Sequence, residues 1–496
     1  MKIAFSSINM KSLLSSRIIS RFIYQSTTPS SRSSLLIPNN DQKKKENLQS
    51  RIIPAGEPWV SMVPILNQWV EEGNNVTKGD IVSIIKRLRG FKRFKHALQI
   101  SQWMSDEMCF ELQPGDMAVR LGLISSVHGI EQAEKYFGDV AEQSKILPVY
   151  YSLLECYAHN NSTEKAESLM QQMKEIGFVN TPVAYNILLN LYYKLGQYEK
   201  QDALIQEMNE RGVVPDTSTY SIRLASYADT AQINDMESIL RTMEKEPKVV
   251  MNWHTYGTAA NGYMKAGKMD KALEFLKKSE ELIPRKKKKF VYHYLLTMYA
   301  SAGKKDELYR IWNVYKSTEK VYNMGYRCMI SSLIKLGDIA AAEKILEEWE
   351  YVNTSYDFRV PNLLVAAYCK NGLLDKAEML VQKAVEKGKE PLPTTWEILA
   401  TTYNEFNQIQ KAVEAVKNAL LAKRPGWRPK RPTLGFCLLY LKQQGEDKKI
   451  GELLRLLGVP VHMSGDDCER LLDYIYGGEE ATMDADSSEE TLEEAT

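Results

Sequence analysis

A tyrosine returns every 35 residues, at Tyr150, Tyr185 and Tyr220, and each one opens a segment of the same design. The three copies read Tyr150-x-x-Leu153-Leu154-x-x-Tyr157, Tyr185-x-x-Leu188-Leu189-x-x-Tyr192 and Tyr220-x-x-Arg223-Leu224-x-x-Tyr227. A methionine follows at a fixed offset in each, at Met173, Met208 and Met243. A constant period in this range means that each segment is one small unit, unable to bury its apolar face except against its neighbours. Such a chain forms an extended binding surface in place of a single enclosed pocket.

Further copies open at Tyr256, Tyr292, Tyr326, Pro361, Trp396 and Leu434, and earlier ones near Ile81 and Met117. A small residue recurs sixteen positions after the anchor, at Ala97, Ala133, Ala166, Ala272, Ala342, Ala377 and Ala412. Glycine recurs eleven positions after it, at Gly196, Gly267, Gly303, Gly337, Gly372 and Gly445. The spacing drifts between about 33 and 38 residues, as insertions in surface loops allow. Roughly eleven units fill residues 79–455.

Within one unit the apolar residues keep a helical period. Tyr185, Leu188, Leu189 and Tyr192 lie at i, i+3, i+4 and i+7, on one face of a first helix. Gly196 then offers a helix end where positive φ meets no Cβ. A second helix carries Ala203, Leu204 and Met208 inward and closes before Pro215, which cannot continue it. The recurring alanine lets the two helices approach closely. The expected fold is all-α, a solenoid of antiparallel helical hairpins.

The copy Tyr185-Asn186-Ile187-Leu188-Leu189, Lys194-Leu195-Gly196, Met208 and Gly212-Val213-Val214-Pro215-Asp216 resembles the pentatricopeptide repeat. It departs mainly at Gln201, where that repeat has alanine. Tetratricopeptide repeats share the hairpin design with 34 residues but not this motif. The stretch from Phe94 to Glu134 is similar to the plain, P-type plant branch of the family. The resemblance implies a right-handed superhelix with an RNA-binding inner wall, and no enzymatic activity.

Composition fits that expectation, with 44% hydrophobic and 26% charged residues, which are ordinary globular values. No apolar run is long enough to span a bilayer, so no membrane insertion is expected. The six cysteines, Cys109, Cys156, Cys328, Cys369, Cys437 and Cys468, include no Cys-x-x-Cys pair, so neither disulfides nor structural zinc are expected. The histidines form neither His-Glu-x-x-His nor the zinc deaminase pattern. No phosphate-binding loop and no nucleophile elbow is present. Catalytic residues, metal ligands and cofactors are therefore all expected to be absent.

The two ends differ in kind. Residues 1–40 hold Lys2, Lys11, Arg17, Arg21 and Arg32, many serines and no acid, which reads as an organelle transit peptide, mitochondrial in preference to chloroplast. Residues 41–78 read as a linker with an N-terminal helix. Residues 456–496 form a C-terminal segment whose last eighteen hold eight Asp and Glu and no base, read as a solvated acidic tail. The net charge is +1; without the five leader cations and eight tail anions, residues 41–478 carry +4. Nucleic-acid binding cannot rest on so small a net charge, so phosphate contacts must come from local placement.

Such placement exists nine residues after the anchor, at Lys194, Lys265, Lys335 and Lys370, a position the resemblance assigns to phosphate contact. The alternative is solvated surface lysine. The Lys286–Lys289 run reads first as an inter-repeat loop, and Arg424, Arg428, Lys430 and Arg431 near Trp427 form a second basic loop. Repeat proteins of this kind read one base per unit with a few side chains. The resemblance places those side chains directly after one anchor and four residues before the next. Asn186 with Asp216 is then a pairing for U, and Ser221 with Asn252 a pairing for A. Val183, Ser218 and His254, two residues before an anchor, would flank the bases.

The remaining pairs, Tyr151/Thr181, Gly257/Lys288, His293/Tyr322, Arg327/Asp357, Asn362/Leu392 and Glu397/Lys430, fit no standard code. Little more than a UA dinucleotide is specified. Three functions follow from this. One is an organellar RNA-binding protein acting on the stability, processing or translation of a transcript by holding single-stranded RNA in its groove. Another is a structural part of the mitochondrial ribosome, with structured RNA and ribosomal proteins as partners. The third is a peptide-binding scaffold.

Overall fold

The structure is a computed structural model that describes residues 47–55, 60–283, 288–352, 356–422 and 427–458, apart from the side chains of 288 and 289. The expected leader, the acidic tail, Cys468, Arg424 and the Lys286–Lys289 side chains lie outside the described residues. Among the described residues there are 24 α-helices and no strand.

The repeat containing Tyr185 shows why the sequence folds this way. Pro182 occupies the first turn of its first helix, where its missing N–H costs nothing and its φ suits the helix. Tyr185, Leu188, Leu189 and Tyr192 are all buried on one face. The helix ends at Gly196 in the left-handed region (φ 70°), and the second helix runs Tyr198–Glu210. Met173, Met208 and Met243 are each buried to 1% exposure or less, and the seven recurring alanines are all at 0%.

The described residues form two compact units, one up to Met251 and one from Asn252. The first opens with α1 (Leu48–Ile52) and α2 (Val63–Glu71). Five hairpins follow: α3 (Lys78–Gly90) with α4 (Phe94–Asp106), α5 (Pro114–His128) with α6 (Ile130–Asp139), and α7 (Leu147–His159) with α8 (Thr163–Glu175). Next come α9 (Pro182–Leu195) with α10 (Tyr198–Glu210), and α11 (Thr217–Asp229) with α12 (Ile233–Lys245). In this unit α5, α7, α9 and α11 pack on one another in series, so the first helices form one layer.

The second unit holds six hairpins. These are α13 (Trp253–Lys265) with α14 (Met269–Glu281), α15 (Lys288–Ser301) with α16 (Lys305–Thr318), and α17 (Asn323–Lys335) with α18 (Ile339–Val352). They continue with α19 (Pro361–Lys370) and α20 (Leu374–Glu386), α21 (Pro393–Glu405) and α22 (Ile409–Leu421), and α23 (Arg431–Gln443) and α24 (Asp447–Leu457). Here α15, α17, α19, α21 and α23 form the corresponding series. Each unit is thus an all-α stack of helical hairpins, eleven hairpins among the described residues.

Two features of the repeat were not read from sequence. The position eleven after the anchor is left-handed even where glycine is absent, at Lys92 (φ 58°), Asn161 (54°), Ala231 (56°) and Asn407 (56°). Second helices are also latched to the preceding repeat by a recurring trio. Lys200 Nζ lies 2.7 Å from Glu167 Oε1, Tyr192 Oη donates to the same oxygen at 2.8 Å, and Lys200 sits over the Tyr192 ring. The trio returns as Lys376, Glu343 and Tyr368, at 2.9 and 2.6 Å. Lys411 repeats the ion pair to Glu378 at 2.8 Å, over the Tyr403 ring. Its signal was legible: a lysine fifteen and a glutamate seventeen positions after the anchor.

Candidate nucleic-acid interface

The side chain after each anchor starts on the second turn of a first helix, while the residue four before the next anchor precedes the following first helix. Where successive first helices pack in one layer, these two positions meet. Asn186 Nδ2 donates to Asp216 Oδ1 at 3.0 Å. The Tyr151 and Thr181 hydroxyls lie 3.0 Å apart. At the far end the Lys430 backbone N–H donates to Glu397 Oε1 at 2.6 Å. At these three junctions the two positions are in hydrogen-bond contact.

The second member of a pair can also have a helix to start, as Asp216 and Asn252 do. Asp216 is the N-cap of α11: its Oδ1 accepts from Thr219 N–H at 2.8 Å, and the Thr219 hydroxyl completes the capping box. Asn252 caps α13 in the same way, accepting from the His254 and Thr255 N–H groups at 2.9 and 3.2 Å. Short polar side chains are preferred at such positions whatever the ligand, and each contributes about 1 kcal/mol. Asn186 is only 3% exposed, and its Oδ1 accepts from the Thr219 hydroxyl at 2.7 Å. Ser221 bonds its own helix through the Thr217 carbonyl.

Larger groups fill other positions that follow an anchor. Gly257 leaves room that Tyr294 fills; a Cβ at Gly257 would stand 1.9 Å from the Tyr294 hydroxyl. His293 Nε2 lies 3.1 Å from the Tyr315 hydroxyl, and burial pushes its pKa down to about 4. Among the flanking residues, Val183 packs on the apolar core and Ser218 is half-buried in the first turn of α11. His254 is held within the first turn of α13: its Nε2 is buried, and burial takes its pKa down to about 4.

All four lysines at the ninth position end a first helix, Lys194 on α9, Lys265 on α13, Lys335 on α17 and Lys370 on α19. A cation there also complements the carbonyl end of its helix, by roughly 0.3–1 kcal/mol. Lys194 is half-buried, with burial lowering its pKa, and it has no acidic partner among the described residues. Lys335 is lowered by the same cause and bonds the Ser301 hydroxyl at 2.7 Å. Lys370 is exposed. The second-helix lysines of the latch are each opposed by a glutamate, which Lys194, Lys335 and Lys370 are not among the described residues.

Hairpins stacked in series within each unit, with side-chain pairs bridging first helices at Asn186–Asp216 and Tyr151–Thr181, define a helical-repeat protein. Comparison with known proteins agrees. The model of the PPR repeat family matches residues 180–229, and that of the PPR repeat matches residues 148–178, 254–282, 326–351 and 360–388. A mitochondrial pentatricopeptide repeat-containing protein of Arabidopsis thaliana is 41% identical over 421 residues, 85% of this chain and 86% of its own length. Large ribosomal subunit protein mL101 of the same plant is 40% identical over 418 residues, covering 83% and 84%. The chain belongs to the pentatricopeptide repeat family. Among solved structures, that of the pentatricopeptide repeat protein PPR10 in complex with an 18-nt psaJ RNA element aligns with TM-score 0.48 and 18% identity. The alignment covers 79% of this chain and a little over half, 57%, of that protein.

Proposed function

We propose that this protein binds RNA along its first-helix layer and acts in organellar RNA metabolism, in the mitochondrion, by holding single-stranded segments of a transcript. The observation that carries this reading is the contrast in charge. Latch lysines are neutralised by glutamate, whereas Lys194, Lys335 and Lys370 have no ion pair among the described residues. A phosphate chain running past the first helices would supply the missing counter-charge. The junction pair Asn186–Asp216 lies in the same layer, where Asn186 is buried and the half-buried Asp216 is the member a base could reach. Relatives whose names place them in mitochondria support the compartment.

A second reading, a structural place in the large mitochondrial ribosomal subunit, is favoured by the 40% identity to mL101 over most of both chains. The junction that Tyr294 fills at Gly257 also suits recognition by shape more than by base.

The test must keep the cap while changing the edge. Asn186→Ser with Asp216→Asn retains an N-capping side chain and recreates the pairing found at Ser221 and Asn252. Binding of randomised single-stranded RNA, sequenced before and after capture, should show U replaced by A at one position. Lys194→Gln and Lys370→Gln should weaken all sequences alike and flatten the salt dependence. An unaltered sequence profile in the first variant, with unaltered affinity in the others, would sink the assignment.

A further inference from the structure

Phe436 is 59% exposed and Leu439 48%, one helical turn apart on α23. Two residues after the anchor, where Phe436 stands, α15, α17, α19 and α21 carry Tyr294, Cys328, Leu363 and Ile398, all packed on the apolar core. Five residues after it, where Leu439 stands, α21 carries Thr401, whose hydroxyl lies 3.2 Å from that of Thr433 on α23. That position therefore touches the next first helix, and among the described residues no first helix follows α23. Stacked repeats stay soluble when a terminal unit with a polar outer face covers such a side.

The chain continues past Gly458, outside the described residues, and there the repeat pattern returns. Cys468-x-x-Leu471-Leu472-x-x-Ile475 places apolar residues at i, i+3, i+4 and i+7, the spacing of Tyr150, Leu153, Leu154 and Tyr157. Cys468 lies 34 residues after the anchor Leu434, the interval that also separates Tyr292 from Tyr326. The start signal falls in the same register. Asp216 and Asn252 cap their helices from four residues before an anchor, and Thr219 and Thr255 complete the box from one before. Ser464 and Asp467 occupy those two offsets from Cys468. A hydroxyl with an acid three residues on is the box that Thr77 and Asp80 form at α3. Gly477 and Gly478 supply the stop. Seven residues, 458–464, are left to join such a helix to α24, where six join α20 to α21 and nine join α22 to α23.

We propose that residues 465–476 form a twelfth first helix that docks on the open side of α23, so that the chain closes its own stack with a half-repeat. Cys468, Leu471, Leu472 and Ile475 make its apolar face, and Glu469, Arg470 and Asp473 fall together on the opposite, solvent side. A second copy or another protein would have to match the period, cap register and reach of this stack to fill the same place, and residues 465–476 already do. The assignment stands independently of the RNA-binding reading.

The test uses the full chain and amide hydrogen exchange read by mass spectrometry. Residues 465–476 should exchange about tenfold or more below the rate of an unstructured chain. Leu471→Asp with Leu472→Asp should abolish that protection and speed exchange in α23, leaving α3 to α10 as in the unmodified chain. Free-chain rates in 465–476 of the unmodified protein, or an α23 indifferent to the double variant, would overturn the proposal. A second measurement tells the chain's own segment from a second copy. Leu439→Cys with Asp467→Cys, in a Cys468→Val background, puts thiols at the offsets where Thr401 and Thr433 meet one repeat earlier. Mild oxidation should then close a disulfide within one chain. A disulfide joining two chains would give the open side to a second copy, and no disulfide would place the segment elsewhere; either result overturns the proposal.

Discussion

At the scale of single residues, backbone conformation and burial set the terms. Every hairpin turns through a left-handed residue, and Ala231 adopts φ 56° where most repeats have glycine. For an L-residue this conformation costs roughly 1–2 kcal/mol, partly offset by the roughly 0.5–1 kcal/mol of extra unfolded-state freedom that glycine brings. Ala231→Gly should therefore raise the urea midpoint, by about 0.5–1 kcal/mol in stability. Gly337→Ala should lower it by a similar amount: an added Cβ there meets nothing within 4 Å, so only the φ of 76° is tested. Shifts of the same sign in both variants would refute the backbone argument.

Histidine gives a pH test at the same scale. His254 and His293 are held neutral in the fold with pKa values near 4, against about 6.5 when unfolded. Protons bind the unfolded chain more readily, so the contribution of these residues is complete above pH ~6.5 and is lost as pH falls toward 4. Thermal unfolding at pH 7 and 5 should show the loss, and His254→Asn should reduce it. A pH response identical to that of the parent chain would place the titration elsewhere.

Between elements, the Tyr–Lys–Glu latch sets two interactions against each other. The Lys376–Glu343 ion pair involves side chains 52% and 31% exposed, and such pairs contribute about 0–1 kcal/mol. The Tyr368 hydroxyl donates to the same carboxylate from a ring only 6% exposed. Hydrogen bonds to charged groups contribute about 1.5–3 kcal/mol. Tyr368→Phe should therefore destabilise by about 1.5 kcal/mol, and Lys376→Met by less than about 0.5, since its stem still covers the ring. Chemical unfolding that ranks the two the other way would show the ion pair to be the stronger tie. Gln201 is an exception with a local reason: it replaces the usual alanine, yet is buried and satisfied, donating to the Leu189 carbonyl and accepting from Ser226, both at 2.7 Å.

For the whole molecule, stability within each unit comes chiefly from contacts between neighbouring hairpins, so a change at one junction is felt mainly by the hairpins beside it. The two readings of its role differ in what it travels with. A tagged chain in mitochondrial extract should sediment with RNA-containing particles that shift to the top of the gradient after mild RNase. Persistent co-migration with the large ribosomal subunit would instead place it in that assembly, as its identity to mL101 suggests.

Hairpin number, helix ends, the buried faces of Tyr185 and Leu188 and the tightly packed alanines were legible in the chain, because each follows from a local period that any stacked copy must repeat. The pair positions too were legible as spacings. What they touch was not: that Asp216 is first a helix cap, that Tyr294 fills the space at Gly257, that Arg359 binds Asp357. These depend on which side chain of one hairpin reaches the next. The reason is one of range. Periodicity fixes what a residue does within about one helical turn, whereas charge compensation and occupancy at a junction are settled by residues some 30 positions away, brought together only when the hairpins stack.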